Sequence, residues 1–266
     1  MTTDSDTHIT QPIIRLRLAF STAADDVRIR TALDPTLREK VDPEHHVAER
    51  LMAAFNTAVV QGCVAMLSDD KGTVKSLTVA YHCHLAKIPG DATPHDHINF
   101  GTSLSYLSGY KISAIVIAAL ALREWLLHPP LGGEISAGIA NDNIASLKIY
   151  NEMLKWEKLE DPVRLKPVMG ATWHTLPDPR DKTGQTARDD APDDLAGVGW
   201  YMCDKQTLIT QAQYLLDLID RSGRIAGKQG VLEVDLSALE QEGLTRIRLE
   251  AMARGVTSRP IIAAIK

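Results

Sequence analysis

The sequence predicts an α/β protein whose mixed, mostly antiparallel twisted sheet is flanked by helices and followed by a mainly helical C-terminal extension. Residues 13–20 alternate apolar and basic side chains, which is typical of a strand with one solvated face. Residues 63–70 and 74–86 are two further strand-like runs, and Lys71 and Gly72 between them predict an antiparallel hairpin. Strand and helix patterns alternate in the middle third, which requires at least one parallel crossover.

The length and composition limit the classes of protein to which this chain can belong. A chain of 266 residues can bury a sizeable core, and its formal net charge of −5 removes any general attraction to nucleic acid or anionic membranes. The longest apolar run, residues 112–122, has about half the length of a membrane span and predicts a buried helix. The first residues lack a secretory signal, and three widely spaced cysteines favour a reducing compartment. We therefore expect a cytoplasmic protein with no nucleic-acid or membrane partner.

The chain divides into three parts by composition. Residues 1–11 are polar and acidic and are predicted to be disordered. Residues 12–204 form the main domain, within which the proline-rich and charged segment 177–196 is predicted to be an exposed loop. Residues 205–266 form the C-terminal extension, which we expect to cap the domain or to mediate a homodimer.

Two helices are predicted before the hairpin, over residues 22–33 and 46–61. Ser21 precedes the first helix as a candidate cap, and two aspartates lie in its first turn, where the helix dipole favours negative charge. Apolar residues recur at three- and four-residue spacing in the second, and Gly62 ends it.

The middle of the chain carries the predicted crossover. Residues 97–104 are a further strand candidate, and a short polar loop follows them. Residues 114–127 form the apolar helix, which two prolines terminate. Residues 133–140 are the next strand, so the two strands joined through this helix are expected to be parallel.

The last third is predicted to hold a hairpin and two helices. Residues 168–176 and 197–204 are strand-like and could pair as one hairpin with a long loop. Residues 206–219 predict a helix, and a short apolar piece follows. A final helix begins at Ser237, with Glu240 at capping-box spacing, and ends at Gly255.

The stretch NDNIASLKIYNEMLKW, residues 141–156, contains the most informative pattern. Asn143 can cap a helix by accepting a backbone N–H bond. Tyr150 shares a helical face with Leu147 and Leu154, which directs it toward the sheet. Considered alone, Tyr150 is better explained as an amphipathic core residue with its hydroxyl at the edge.

The order of elements and this stretch resemble the GNAT superfamily of acyl-CoA-dependent N-acyltransferases, and the resemblance covers residues 13–204. In that family the strand after the central helix runs into an asparagine, a small residue, a tyrosine and a leucine–glycine–phenylalanine ending. The corresponding residues here are Asn143, Ser146, Tyr150 and Leu154-Lys155-Trp156.

The resemblance implies a GNAT-like fold and an acyltransferase that uses acetyl-CoA as co-substrate. The acceptor would be the amine of a small molecule or peptide, which attacks the thioester directly. Asn143 and Ser146 would lie beside the cofactor. Tyr150 would protonate the departing thiolate, because a tyrosine is protonated at neutral pH.

The resemblance also implies a phosphate-binding loop before the apolar helix, where successive backbone N–H groups can face a diphosphate. The family pattern is a basic residue or glutamine, two spacers, glycine, one spacer, and glycine or alanine. It falls on residues 108–113, where Ser108, Lys111 and Ser113 occupy the three defined positions, and the first two depart from the pattern. The Lys111 side chain could supply charge or block close approach. The predicted cofactor-binding residues of this loop are Ser108, Gly109, Tyr110, Lys111, Ile112 and Ser113.

Two further roles follow from the resemblance. A backbone N–H of the strand before the loop would polarise the thioester oxygen, which places the donor among Ser103, Leu104 and Ser105. The attacking amine must lose a proton, and Glu134 is the first candidate for that general base, with Asp96 the second. Either carboxylate could equally be a solvated charge at a strand end.

Four histidines could form a metal site as an alternative, although we predict no bound metal for this protein. His82 and His84 lie in one strand, and His95 and His97 lie in or next to another. Two such pairs on adjacent strands could complete a tetrahedral zinc site, with or without Cys83 and Asp96, if the strand register allowed it.

Two alternatives concern function. Residues 239–260 could pass for a DNA-binding helix-turn-helix, but glutamates alternate with its arginines, which favours a salt-bridged surface helix or a dimer contact. The chain could also be a catalytically inactive GNAT-fold protein that binds acyl-CoA or serves as a scaffold. Tyr150 favours the enzyme, whereas Ser108 and Lys111 favour the inactive protein. The acidic segment 177–196 would suit a cationic acceptor.

Overall fold

The structure is a computed structural model that describes residues 12–22, 62–85, 95–105, 107, 109–127, 135–141, 143–160, 198–227 and 229–256. The helix predicted over residues 46–61 and the strand over 168–176 lie outside the described residues, as does the loop 177–196. The helix predicted over residues 22–33 does too, apart from Thr22. Ser21 and Thr22 belong to the first strand, so the helix cap predicted at Ser21 falls on extended chain.

The described strands form one mixed sheet, ordered β6-β7-β5-β4-β3-β2-β1-β9-β8. This confirms the α/β class and the mixed sheet. The strands are β1 Ile13–Thr22, β2 Gly62–Ser68, β3 Val74–Leu85, β4 His95–Ser105, β5 Ile135–Ala140, β6 Glu157–Lys158, β7 Val198–Met202, β8 Arg224–Gly227 and β9 Gly230–Asp235.

Helices flank the sheet. A π-helical turn, Lys148–Met153, directly follows the short helix Ile144–Leu147. The helices are α1 Ser113–Leu127, α2 Ile144–Leu147, α3 Lys205–Asp220, α4 Ala238–Gln241 and α5 Arg246–Ala253. In the described part of the chain, no helix has both the length and the apolar character needed to cross a bilayer.

The elements with strong local signals form as predicted. β2 and β3 pair antiparallel, and the turn between them closes with a bond from the Gly72 N–H to the Asp69 carbonyl at 2.9 Å. β4 and β5 are parallel, which confirms the crossover through α1. α1 is buried along almost all of its length, as its apolar run predicts, because the sheet covers one side and α3 packs against another.

The C-terminal segment is built into the sheet rather than placed beside it. Residues 230–235, an unassigned apolar piece in the sequence, form β9, which pairs parallel with β1 and antiparallel with β8. Leu232 of β9, Leu215 of α3 and Leu249 of α5 are each 0% exposed and belong to the same core as α1. One hydrophobic core therefore includes residues from both sides of the predicted boundary at residue 204.

The final predicted helix begins where expected, since α4 follows Ser237 directly, but the predicted cap and the continuity of the helix are wrong. Ser237 has helical backbone angles, and its side chain makes no capping bond. The helix does not continue past Gly243, where φ is +78°. Thr245 caps a separate helix by accepting the Arg248 N–H at 3.4 Å. Gly255, with φ of +81°, follows the end of α5, as predicted.

The interpretation of α5 as a salt-bridged surface helix is confirmed at Arg246. Its guanidinium lies 3.0 Å from the Glu250 carboxylate and 2.7 Å from that of Asp220 on α3. These pairs are exposed, and their contribution to stability is small.

We predict that Leu232→Ala lowers the stability of the whole chain by about 3 kcal/mol, because it leaves a cavity in a shared core. Urea unfolding should show one transition at a lower midpoint, coincident by tryptophan fluorescence and circular dichroism. Ile247→Ala is the matched control, since Ile247 lies in the same segment but is 79% exposed. A separate early transition of the C-terminal segment alone would contradict a common core.

Candidate functional site

The parallel strands β4 and β5 separate part of the way along their length. Their pairing runs from Ile98 opposite Ile135 to Phe100 opposite Ala137. β4 nevertheless continues to Ser105, and β5 continues to Ala140. Beyond Phe100 and Ala137 the two strands are therefore no longer paired, and we call this gap between the strand ends, at the end of the sheet where α1 begins, the opening.

A β-bulge lies where the two strands separate. Ala80 of β3 is opposite Phe100, but Thr78 is opposite Ser103, so residues 101 and 102 of β4 face the single residue 79. A bulge bends its strand and increases the local twist, which accounts for β4 leaving β5 here. Beyond it, β4 stays paired with β3 through Ser105.

The backbone of residues 103–105 is consequently available on one side. In an antiparallel strand, alternate residues direct their N–H groups away from the paired neighbour. At least one N–H among Ser103, Leu104 and Ser105 therefore points to the side from which β5 has withdrawn. This is the segment predicted to carry the donor to a thioester oxygen.

Tyr150 reaches this same part of β4. The Asn143 side chain caps α2, as predicted, by accepting the Ser146 N–H at 3.1 Å. The π-helical turn then carries Tyr150, which is 3% exposed. Its hydroxyl lies 3.3 Å from the hydroxyl oxygen of Ser103, which lies 2.6 Å from that of Thr78. The three hydroxyls form a chain from the π-helical turn through β4 to β3.

The environment of Tyr150 keeps its hydroxyl protonated. Burial raises the pKa of Tyr150 to about 12, and the hydrogen bonds from Ser103 and Thr78 oppose this shift only in part. The ring also contacts Trp156 edge-to-face, with centroids 4.9 Å apart. At neutral pH the phenol is therefore protonated, and its O–H is available as a hydrogen-bond or proton donor.

Thr78 is the member of this group that the sequence did not indicate. It lies in the middle of β3, is 0% exposed, and reaches Ser103 only because the bulge sets the register between the strands. A threonine in a strand is common, so only the pairing identifies it. The indole N–H of Trp156 is a second unpredicted feature, since it is buried and has no hydrogen-bond partner among the residues that the structure describes.

The backbone of Lys111 and Lys155 adopts a conformation that favours glycine. Lys111 has φ of +54° and Lys155 has φ of +58°, both in the left-handed region. Among the described residues, Ser222 is the one other non-glycine residue with positive φ. These are the two positions that correspond to glycines of the GNAT pattern in the sequence comparison above, and each lysine here adopts a backbone conformation that glycine adopts more easily.

The predicted phosphate loop contains both buried and exposed residues. Gly109 has φ of +90° and Lys111 is exposed, whereas Tyr110 and Ile112 are 3% and 0% exposed. The Ala114 N–H donates to the Lys111 carbonyl at 3.0 Å, which closes a tight turn at the start of α1. Tyr110 and Ile112 can therefore serve a ligand only through their backbone, and Lys111 alone offers an exposed charged side chain in the described part of this loop.

The remaining predicted site residues have different outcomes. Ser108 and the first candidate base, Glu134, lie outside the described residues. The second candidate base, Asp96, lies near the start of β4, opposite position 84 of β3 and at the end of the strand away from Ser103. The Ser146 side chain is half-buried beside the cap of α2.

The strand register does not favour a four-histidine zinc site. His84 is opposite Asp96, and His97 is opposite Cys83. Paired positions share a face of an antiparallel sheet and adjacent positions alternate, so positions 82 and 84 belong to one face and positions 95 and 97 to the other. Within the described ranges, no group of three or more potential ligands is placed to hold a metal ion.

We predict that Lys111→Gly and Lys155→Gly each raise the free energy of unfolding by about 0.5–1 kcal/mol, because glycine removes the left-handed strain at a smaller entropic cost. Lys148→Gly is the matched control. Lys148 is exposed with helical angles, so glycine there should destabilise by about 1 kcal/mol. Urea denaturation measures all three, and a loss of stability at positions 111 and 155 equal to that at position 148 would refute the strain.

Comparison with family models, with curated proteins and with solved structures finds no match to the chain.

Proposed function

We propose that this protein is a GNAT-like N-acyltransferase, which moves an acetyl or other acyl group from acetyl-CoA to an amine acceptor by direct attack. The observation that supports this proposal best is the contact between the Tyr150 hydroxyl and the Ser103 hydroxyl, beyond the point where β4 and β5 separate. This places a proton donor next to a strand segment with an outward-facing N–H. Both groups can assist acyl transfer from a thioester, the N–H by stabilising the oxyanion and the hydroxyl by protonating the departing sulfur.

The described residues fit such a ligand in two respects. The opening between the ends of β4 and β5 offers backbone donors, and the turn at residues 109–113 leads into α1, whose N-terminus favours an anion. Lys111 is exposed and can contribute positive charge to a diphosphate. Acetyl-CoA supplies the activated acyl group.

Each residue of the centre has a distinct task in transfer. A backbone N–H among residues 103–105 stabilises the negative charge that develops on the thioester oxygen. Tyr150 donates its phenolic proton to the departing sulfur and accepts a hydrogen bond from Ser103 as it does so. The acceptor amine gives up one proton to a base, for which Glu134 remains the first candidate. The products are an amide and a free thiol.

A catalytically inactive acyl-CoA-binding protein is the second candidate. It is supported by Lys111, whose side chain occupies a position where the family has glycine for close approach to phosphate. The two candidates differ in one outcome, since the inactive protein binds acetyl-CoA but releases no thiol in the presence of amines.

We predict that Tyr150→Phe lowers the rate constant of transfer by about 10²–10⁴-fold and leaves acetyl-CoA affinity unchanged, because only the proton donor is removed. Thiol release with a panel of amines measures the rate, and calorimetry measures binding. Tyr214→Phe is the matched control, because burial also raises the pKa of Tyr214 to about 12 but this residue lies on α3. Full transfer activity in Tyr150→Phe would exclude its role as general acid.

We predict that Lys111→Glu weakens acetyl-CoA binding about tenfold, because it places negative charge beside a diphosphate. Lys111→Gly should retain or improve binding, since it restores close approach of the backbone. Lys205→Glu is the charge control, because it follows β7 at the opposite end of the sheet. Equal affinity of Lys111→Glu and the unchanged protein would mean that this turn does not bind phosphate.

A further inference from the structure

Tyr110 joins the candidate phosphate loop to the C-terminal hairpin. Its side chain is 3% exposed, and its hydroxyl donates to the Gly230 carbonyl at 3.4 Å. Gly230 begins β9, so this contact crosses 120 positions of sequence. The loop that precedes α1 is thus in contact with the turn between β8 and β9.

Gly227 shows how close this contact is. A Cβ atom added to Gly227 would overlap the ring of Tyr110. Gly227 is not among the glycines with positive φ, so its backbone would suit other residues. The space taken by Tyr110, rather than backbone conformation, requires glycine at this position. The aromatic ring is consequently held against the hairpin by packing as well as by its hydroxyl.

The hairpin itself is firmly anchored. β9 pairs with β1 from Val231 to Asp235, and the Val231 N–H donates to the Pro12 carbonyl at 3.1 Å. A Cβ at Gly230, where φ is +132°, would overlap that carbonyl oxygen. Glu233 also lies within 3.3 Å of the Arg15 guanidinium and 2.9 Å of that of Arg224. The hairpin is therefore a fixed surface against which the loop can be positioned.

We propose that Tyr110 is a positioning residue, through which the β8–β9 hairpin holds residues 109–113 in the conformation that binds the diphosphate of an acyl-CoA. This rests on the proposed function. Backbone N–H groups bind an anion tightly only when their directions are set in advance, because ordering a loose loop on binding costs free energy. Lys111 in its left-handed conformation makes this requirement stronger, since an unsupported lysine would leave that region. The C-terminal segment is thereby part of the cofactor site.

The direct test is hydrogen exchange of the backbone amides of residues 109–113 in the full chain. Gly227→Ala should accelerate this exchange, because the added methyl group displaces the Tyr110 ring. Tyr110→Phe should accelerate it to a smaller extent by removing one hydrogen bond. Gly72→Ala is the matched control. It carries a strained methyl group in the β2–β3 turn, where a Cβ meets no atom within 4 Å, and it should leave the loop unchanged.

A second variant separates the contact from a general loss of stability. In a Tyr110→Leu background, adding Gly227→Ala should cause little further exchange, because the ring that it displaces is gone. If Gly227→Ala fails to fold, exchange in Tyr110→Phe decides the question. Unchanged exchange at residues 109–113 in Tyr110→Phe and in every folded Gly227→Ala variant would overturn the proposal.

Binding of acetyl-CoA distinguishes a failure of the positioning role of Tyr110 from a failure of the proposed function. Calorimetry should show affinity reduced about tenfold in Gly227→Ala and unaffected in Gly72→Ala. Accelerated exchange in a protein that never binds acetyl-CoA would support the hairpin contact and refute the proposed function. Accelerated exchange with unaltered acetyl-CoA affinity would refute the positioning role and leave the proposed function standing.

Discussion

The bulge in β4 is the constraint on which the rest of the site depends. One extra residue between Phe100 and Ser103 bends β4 away from β5 while its pairing with β3 continues. This single change opens the sheet, frees strand N–H groups on one side, and brings Ser103 opposite Thr78. The hydroxyl of Tyr150 then has a partner at the opening, where burial keeps it protonated.

The packing of α1 and of the C-terminal hairpin supports this arrangement. α1 is buried between the sheet and α3, and the C-terminal hairpin extends the sheet beyond β1. The same hairpin contacts Tyr110 at the start of α1. A segment that looks like an appendage in the sequence therefore contributes both to the core and to the position of the candidate phosphate loop. Stability and the geometry of the site are linked through this contact.

The sequence predicted the features that depend on neighbouring residues. The β2–β3 hairpin, the cap at Asn143 and the burial of α1 follow from turn residues, a side-chain acceptor and an apolar run close together in the chain. Pairings between distant segments were not predictable in this way. The parallel pairing of β9 with β1 joins segments far apart in sequence. The register of β3 and β4, which puts the two histidine pairs on opposite faces of the sheet, is likewise not visible in either segment alone. The capping box at Ser237 failed because Ser237 has helical backbone angles, whereas a capping residue is usually extended.

Backbone amide chemical shifts of the full chain, recorded during titration with acetyl-CoA, test the central claim most directly. Each amide reports its own surroundings, so the measurement locates a ligand without assuming a reaction. We expect saturable changes concentrated at residues 103–105 and 109–113, the strand beyond the bulge and the turn before α1. Absence of saturable change, or changes confined to other parts of the sheet, would contradict an acyl-CoA site at this opening.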